Sequence, residues 1–300
     1  MKNRDINAYK KIIRSAKMRK SILYILRFIP DSVMLKIQYR IKLGRKLNLS
    51  NPQRFTEKIQ WYKVNYRNEV MHQCVDKYKV REYVKDKGLG KILIPVIAKY
   101  NSIDEVDWEM LPKQFVIKTT NGGGGLNVIV CKDKMKFNFD EEKIKLSSKK
   151  IKTRTGGREW AYYGLEPGIV VEELLVNKEN PTAGINDYKI FCYNGEPKYI
   201  VVDVDRYIGH KRNFYDIKWN NLHITSDCSE AGNIQKPENF EEMLRIAKIL
   251  SRDFLFVRVD LYNCSGKIYF GELTFYPWSG YVDFEPDEAD YMLGNDFKLI

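Results

Sequence analysis

Histidine is scarce in this sequence, which has only three, and none belongs to an H-E-x-x-H pair. A histidine-ligated metal site is therefore not indicated. The five cysteines are odd in number and never spaced as C-x-x-C, which argues against a disulfide framework and against a structural zinc site. Such cysteine usage fits a protein of the reducing cytoplasm.

Long apolar segments are also absent. No apolar run approaches the ~20 residues that a transmembrane helix needs. The nearest candidate for a signal-peptide core, residues 21–29, is short, contains Arg27 and is not followed by the small residues of a cleavage site. Internal repeats and low-complexity segments are missing as well, so we predict a globular, cytoplasmic protein.

Positive charge dominates the composition. The 300 residues include 51 Lys and Arg against 39 Asp and Glu, which gives a formal net charge of +12. This balance predicts an anionic partner, which could be nucleotide phosphates, an acidic glycan, nucleic acid or the anionic surface of a membrane. Charge alone does not choose among them.

The first fifty residues form the most basic stretch, and their apolar residues recur with a helical period. Pro30 and Asp31 interrupt the pattern, and a second helix is predicted over 33–43. Two interpretations are open. The region is either a pair of solvated helices packed on the main domain, which we favour, or a basic amphipathic surface that rests on a membrane.

Beyond residue 90 the pattern changes to short, strand-like segments separated by turns rich in Gly, Asn and Pro. The predicted strands cover residues 93–97, 115–118, 128–130, 169–171, 188–193, 199–204, 256–262 and 267–275. Helices are predicted over 76–87 and 237–251. Few helices cross these strands, so we predict an α+β fold rather than a regular βαβ succession.

A lysine and a run of glycines end the predicted strand 115–118. Lys118 is its last residue, and the glycines that follow are Gly122, Gly123, Gly124 and Gly125. Glycine admits backbone conformations that bring amide N–H groups close to an anion, so the loop is predicted to hold a phosphate. It is not a P-loop, because the lysine precedes the glycines and the loop leads to a strand. The alternative is a flexible hairpin tip, for which a two-residue turn would suffice.

Two acidic residues lie inside the apolar strands near the C-terminus. Asp260 and Glu272 are expected to face one cleft if residues 256–262 and 267–275 pair as a hairpin. Carboxylate oxygens shared with nucleotide phosphates suit Mg²⁺, so we predict a magnesium site. Arg258 shares a face with Asp260 because side chains alternate along a strand, and it can stabilise developing negative charge. The alternative is that these residues form ion pairs on a solvated face.

Several segments, taken in their order along the chain, resemble the ATP-grasp superfamily and, within it, the TupA-like proteins of teichuronopeptide and polysaccharide biosynthesis. They are RFTEKIQW at 54–61, DKYKVR at 76–81, the lysine and glycine loop at 118–125, VEELL at 171–175, DYK at 187–189 and GELTF at 271–275. The resemblance implies an ATP-grasp fold, in which two α+β subdomains clasp ATP, preceded by a basic helical N-terminal region. It divides the chain into the N-terminal region at 1–50, a pre-ATP-grasp segment at 51–97, a small subdomain with the glycine loop at 98–173 and a large subdomain with the metal site at 174–300.

The resemblance also implies roles for individual residues. Lys118 and the glycine loop would hold the ATP phosphates. The linker that recognises adenine would be formed by Glu172, Glu173, Leu174 and Leu175, with Glu172 placed to meet the exocyclic amine. The remaining nucleotide contacts would come from Asp187 and Lys189. The metal ligands would be Asp260, Glu272 and Thr274, although Thr274 stands where many ATP-grasp ligases have asparagine, which leaves the number of metals open.

The acceptor is expected to lie between residues 207–213 and 276–281. The substrate-binding positions would be Arg206, His210, Arg212 and Asn213. The catalytic positions would be Arg258, Arg212 and Lys189. Cationic side chains suit carboxylates, and aromatic faces suit sugar rings.

The function implied by the resemblance is an ATP-dependent carboxylate–amine ligase that acts through an acyl phosphate in the biosynthesis of a cell-surface polysaccharide, capsular or teichuronic. ATP and Mg²⁺, with Mn²⁺ as a substitute, are the expected cofactors, and an anionic carbohydrate or amino acid is the expected substrate. Peripheral contact with the inner face of the membrane or with the polysaccharide assembly machinery is left open.

Two alternatives remain for the function. One is a kinase-like phosphotransferase or a glycosyltransferase of polysaccharide assembly. The other is a basic nucleic-acid-binding protein, but no RNP-like or helix-turn-helix signature accompanies the basic residues, so no nucleic acid is expected as a partner.

Overall fold

The computed structural model describes residues 15–122, 127–146, 154, 156–177 and 180–300. The helices are α1 (Ala16–Ile25), α2 (Asp31–Leu43), α3 (Phe55–Asn65), α4 (Val70–Val75), α5 (Val80–Asp86), α6 (Phe139–Lys145), α7 (Phe240–Ser251) and α8 (Glu288–Asn295). The strands are β1 (Val96–Tyr100), β2 (Phe115–Thr119), β3 (Val128–Cys131), β4 (Ile169–Glu172), β5 (Asp187–Tyr193), β6 (Glu196–Val204), β7 (Lys211–Asp216), β8 (Phe256–Cys264) and β9 (Lys267–Thr274). Helices and two antiparallel sheets confirm the predicted α+β class. Within the described ranges no helix is long and apolar enough to cross a membrane.

The smaller sheet has four strands in the order β1-β4-β2-β3. All of its pairs are antiparallel, so β2 lies between β3 and β4, and Lys118 stands opposite Val128 and Val170. Alternation along β2 buries Phe115 and Ile117 on one face of the sheet. Lys118 therefore projects from the other face, away from that hydrophobic core.

The larger sheet has five antiparallel strands in the order β7-β6-β5-β8-β9. One face packs on α7, where Cys192 of β5 lies with its Sγ 3.8 Å from the carbonyl oxygen of Ala247. The opposite face is divided. Its aromatic half packs on α3, since the ring of Phe55 has its centroid 5.6 Å from Phe191 and 5.4 Å from Phe256. The other half carries the charged side chains of the candidate site.

The predicted helix over 76–87 is wrong in its first turn, because α5 begins only at Val80. The Asp76 carboxylate accepts hydrogen bonds from the backbone N–H groups of Tyr78 and Lys79, which forms a turn. The backbone N–H of Lys77 donates to the carbonyl of Thr120 at 2.9 Å. A long-range contact therefore fixes this segment beside the end of β2.

The sequence analysis did not predict β7, and it assigned residues 207–213 to an irregular wall around the acceptor. The structure pairs β7 with the edge of the larger sheet, opposite β6. Helix α8 was also not predicted. It packs on α3, where the backbone N–H and the hydroxyl of Thr56 both donate to Asp290.

Helix α2 packs on the rest of the chain, as the favoured interpretation of the sequence expected for this region. Helix α2 buries Leu35, Tyr39 and Leu43 in a small cluster with Tyr281. Residues 1–14 of the basic region lie outside the described residues. Helix α2 is therefore a packed layer of the protein.

Arg158 fastens the turn between α1 and α2. Its side chain is 1% exposed, and its guanidinium donates to the carbonyl oxygens of Leu26 and Ile29 and to the carboxylate of Asp31, each at 2.9 Å. These bonds satisfy the end of one helix and the first residue of the next. Arg158 thus ties the end of α1 and the beginning of α2 to the rest of the chain.

We expect Arg158→Met to lower the free energy of unfolding by about 2–4 kcal/mol, because it leaves a carboxylate and two carbonyl groups without their buried partner. Denaturant unfolding measures this loss, and limited proteolysis should cut earlier between residues 15 and 30. Arg154→Met is the matched control, since that side chain is 51% exposed and lies 3.9 Å from Asp31. Equal stability of the two variants would contradict the role given to Arg158.

Candidate active site

Lys189 stands at the centre of a charged row on the larger sheet. Its Nζ contacts the carboxylate of Asp187 and lies 3.4 Å from Asp203 and 3.6 Å from Asp260. The register explains the row, because Lys189 is paired with Asp260 across β5 and β8, while Asp187 is paired with Asp203 across β5 and β6. All four side chains are buried. Burial would raise the pKa of Asp203, but the neighbouring Lys189 and Arg212 hold it well below its usual value.

Arg258 contacts all three predicted metal ligands. Its guanidinium binds both oxygens of Asp260, at 2.7 and 2.6 Å, and its Nη2 lies 3.4 Å from Glu272 and 3.1 Å from the hydroxyl of Thr274. Burial raises the pKa of Asp260 to about 6, against the opposing influence of Arg258 and Lys189. The alternative of ion pairs on a solvated face does not describe Asp260 and Arg258, which are both buried, whereas the Glu272 side chain is 40% exposed.

Lys118 and Glu172 form a close ion pair on the smaller sheet, with 2.6 Å between the lysine Nζ and the carboxylate. Arg81 of α5 approaches the other oxygen of Glu172 at 3.4 Å. The carboxylate that the resemblance assigned to the adenine amine therefore balances two cations. Glu172 and Lys118 meet because β4 and β2 are neighbours and both side chains project from the same face.

The linker after β4 begins at Glu173. The backbone N–H of Glu173 donates to the carbonyl of Pro95 at 3.1 Å, so this amide helps to hold β4 beside β1. The Glu173 side chain is exposed, while Leu174 and Leu175 are half-buried outside the strand. Their predicted contact with adenine stays a prediction.

Lys77 lies beside the glycine loop, and the sequence analysis did not assign it to the site. Its Nζ donates to the carbonyl of Gly122, at the beginning of the glycine loop. Burial lowers the pKa of Lys77, and the nearby Glu272 opposes that shift, while Lys118 adds to it. The charges of Lys118 on the smaller sheet and of Glu272 on the larger sheet therefore both act on the ammonium group of Lys77.

Gly122 is the part of the glycine loop that the structure describes. A Cβ at this position would lie 2.6 Å from the hydroxyl oxygen of Thr119, so a larger residue would force the turn to shift. Gly123, Gly124 and Gly125 lie outside the described residues. Their predicted role in holding phosphate stays a prediction.

Arginines border the row on the side expected for the acceptor. Arg206 donates to Asp187 at 3.2 Å and is partly exposed. Arg212 is buried and binds both oxygens of Asp203 at 2.6 and 3.2 Å, and it also contacts Asp227. Arg206 is therefore the more accessible of the two to a substrate carboxylate.

Asn213 lies apart from this row, although it follows Arg212 in the sequence. Adjacent residues of a strand point to opposite faces of the sheet. Asn213 is fully buried, accepts a hydrogen bond from the backbone N–H of Ala231 at 2.7 Å and donates to the carbonyl of Gly232 at 3.2 Å. The contacts of Asn213 therefore hold the loop after β7. Asn213 does not lie with the other predicted substrate-binding residues.

His210 lies between a carboxylate and a thiol, an arrangement that the sequence did not reveal. Its Nε2 is 3.1 Å from Asp203, and its Nδ1 is 3.3 Å from the Sγ of Cys228. Burial raises the pKa of the Cys228 thiol, which keeps the sulfur protonated and poorly nucleophilic. We therefore assign no covalent chemistry to Cys228.

The side-chain oxygen atoms of Asp260, Glu272 and Thr274 suit a divalent cation that also binds phosphate. Among the residues that the structure describes, no three or more histidine, cysteine or carboxylate side chains are placed to hold an ion by themselves. Mg²⁺ does not need such a set, since it commonly takes one or two carboxylates together with substrate phosphates. Asp260, Glu272 and Thr274 fit that description, and one oxygen of the nearby Asp187 is buried without a hydrogen-bond partner.

A family model described as TupA-like ATPgrasp matches residues 57–298. The chain belongs to the TupA-like ATP-grasp family. Both the resemblance and the ATP-grasp fold that the sequence predicted are thereby confirmed. No curated protein sequence matches the chain significantly.

Solved structures of ligases are similar to this family member at low sequence identity. A D-alanine–D-alanine ligase from Bacillus anthracis is 16% identical, with 68% of this chain and 57% of that chain covered and a TM-score of 0.40. An L-amino acid ligase from Bacillus licheniformis is 14% identical, with 82% and 55% covered and a TM-score of 0.47. The chain thus spans little more than half the length of these proteins. The activity of this chain is therefore argued from its own residues.

We expect Lys77→Met to weaken the binding of ATP by about tenfold, because a charge-assisted contact to a phosphate would be lost. Calorimetric titration with a non-hydrolysable ATP analogue measures the affinity. Lys79→Met is the control, since Lys79 is exposed two residues away and its side chain has no assigned role in the site. Unchanged affinity in a folded Lys77→Met protein would remove Lys77 from the nucleotide site.

Proposed function

We propose that this protein is an ATP-dependent ligase that joins a carboxylate to an amine through an acyl phosphate. The observation that carries the proposal is the contact of Lys77 with Gly122 at the start of the glycine loop, next to the strand that carries Lys118, together with the buried charged row of Lys189, Asp260 and Arg258 on the larger sheet. Membership of the ATP-grasp family supports a nucleotide at this place. Cations and hard oxygen ligands are what a triphosphate needs, and phosphoryl transfer depends mainly on positioning and charge stabilisation.

The residues of the two sheets have different roles in this proposal. Lys118 and Lys77 bind the phosphates, and Arg206 receives the acceptor carboxylate. Asp260 and Glu272 would hold Mg²⁺, which would neutralise charge on the transferring phosphoryl group. An acyl phosphate hydrolyses readily, so the proposed reaction requires that water be kept from the site during transfer.

The second step is attack of the amine on the acyl phosphate, which releases phosphate. The carbonyl oxygen becomes negatively charged in this step and needs a nearby cation. Arg258 and Arg212 are the candidates, and each is held rigidly by a buried aspartate. Lys189 lies between these aspartates and compensates part of their buried negative charge.

The proposed substrate class is an acidic sugar or an amino acid used in a cell-surface polysaccharide. The basic balance of the chain and the arginines beside the acceptor side support an anionic substrate. The presence of a guanidinium that is partly exposed favours a carboxylate, because a planar guanidinium pairs with it through two parallel bonds.

The chemistry can be tested with Mg-ATP, a panel of uronic acids and amino acids, and hydroxylamine in place of the amine. Formation of ADP, free phosphate and a hydroxamate supports an acyl phosphate. A carboxylate labelled with heavy oxygen should pass one labelled oxygen to the released phosphate. ADP with a stably phosphorylated acceptor and no free phosphate would replace the ligase by a phosphotransferase.

We expect Lys118→Ala and Glu272→Gln to lower the rate of ADP formation by at least about 100-fold, since each removes a charge that meets the transferring phosphoryl group. Circular dichroism should show both variants folded. Glu196→Gln is the matched control for the carboxylate, because Glu196 pairs with Lys248 on the exposed surface. Turnover at the wild-type rate in either site variant would exclude that residue from the mechanism.

A further inference from the structure

Helix α2 presents an exposed row of apolar side chains. Val33, Ile37 and Ile41 are four residues apart and lie on the side of the helix opposite the buried Leu35 and Tyr39. Ile41 is 57% exposed. A helix that packs on a core normally keeps polar residues on its outer face, so this row is unusual.

Further exposed apolar side chains precede this row in the chain. Ile25 and Phe28 are 67% and 71% exposed, and Met18 lies on the same side of α1 as Ile25. We call these six residues the N-terminal apolar surface: Met18, Ile25, Phe28, Val33, Ile37 and Ile41. Other exposed large apolar residues, such as Met110, Met135 and Ile144, lie outside this part of the chain.

Basic residues surround the N-terminal apolar surface. Residues 15–43 contain seven lysines and arginines and one acidic residue, Asp31. The Asp31 carboxylate is bound by Arg158, so it does not offset the basic side chains outside. On α2, the exposed Lys36 and Arg40 lie beside Ile37. Exposed apolar rows flanked by lysine and arginine are typical of helices that lie in the surface of an anionic membrane.

We propose that the N-terminal apolar surface docks this protein on an anionic lipid surface. The basic side chains are complementary to acidic headgroups, and the apolar side chains can enter the boundary between headgroups and acyl chains. A nucleic acid would bind the basic side chains but would leave the apolar side chains of α2 exposed to water. Arg158 makes the surface a fixed part of the protein, so docking would orient the whole chain. This proposal does not depend on the proposed ligase activity.

Vesicle co-sedimentation tests the proposal with the full chain. We expect binding to vesicles of phosphatidylcholine with phosphatidylglycerol, much weaker binding to phosphatidylcholine alone, and release by salt. The triple variant Val33→Ser, Ile37→Ser, Ile41→Ser should bind at least about tenfold more weakly. Lys36→Gln should weaken binding about fivefold, since one basic residue near the membrane surface contributes about that factor.

The matched control carries Met110→Ser, Met135→Ser and Ile144→Ser, which also removes three exposed apolar side chains. It should bind vesicles like the wild type. The proposal is overturned if the wild-type protein does not bind anionic vesicles, or if the two triple variants bind these vesicles equally well. Binding to RNA without binding to vesicles, or a dimer in sedimentation analysis that only the α2 variant dissociates, would assign the surface to another partner. ATP turnover is measured separately, so a failure here leaves the ligase proposal untouched.

Discussion

The larger sheet depends on charge compensation between buried carboxylates and buried cations. Asp187, Asp203 and Asp260 lie within strands whose opposite face is hydrophobic core, and an isolated carboxylate there would cost several kcal/mol. Lys189 lies within reach of all three, and Arg258 binds Asp260 at both oxygens. Apolar residues of similar volume would often be as stable as such a network. A row of this kind therefore points to function, because perturbed ionisable groups concentrate at functional sites.

A β-bulge places the carboxylate of β9 beside that of β8. Asp260 is paired with Glu272, but Leu261 is paired with Phe270, so Gly271 is the extra residue between them. A Cβ on Gly271 would lie 3.0 Å from the carbonyl oxygen of Asp260, which is tight enough to favour glycine here. The bulge keeps Glu272 on the charged face while Phe270 stays in the core. Two acidic residues can therefore share one site without exposing the apolar strand around them.

Alternation within strands made much of this site predictable. Asp260 and Glu272 stand out because they are acidic residues in apolar strands, and Arg258 follows from the two-residue period. The role of Lys77 could not be predicted in the same way, since it depends on a contact with Gly122, which lies far away in the sequence. Asn213 was predicted to bind substrate together with Arg212, but its side chain lies on the other face of the sheet. Residues 211–216 were not recognised as a strand, in which neighbouring residues face opposite sides.

The close pair of Lys118 and Glu172 constrains how a phosphate can be bound. A phosphate must share Lys118 with Glu172 or take its place, and removing the lysine from a buried carboxylate would be costly if nothing else compensated the charge. Arg81 already approaches Glu172 from α5, so the carboxylate keeps a cation when Lys118 turns to a phosphate. Lys77 lies on the short segment before α5, so both supporting cations come from the same part of the chain. In the proposed function, the segment between α4 and β1 therefore contributes to the nucleotide site together with the two sheets.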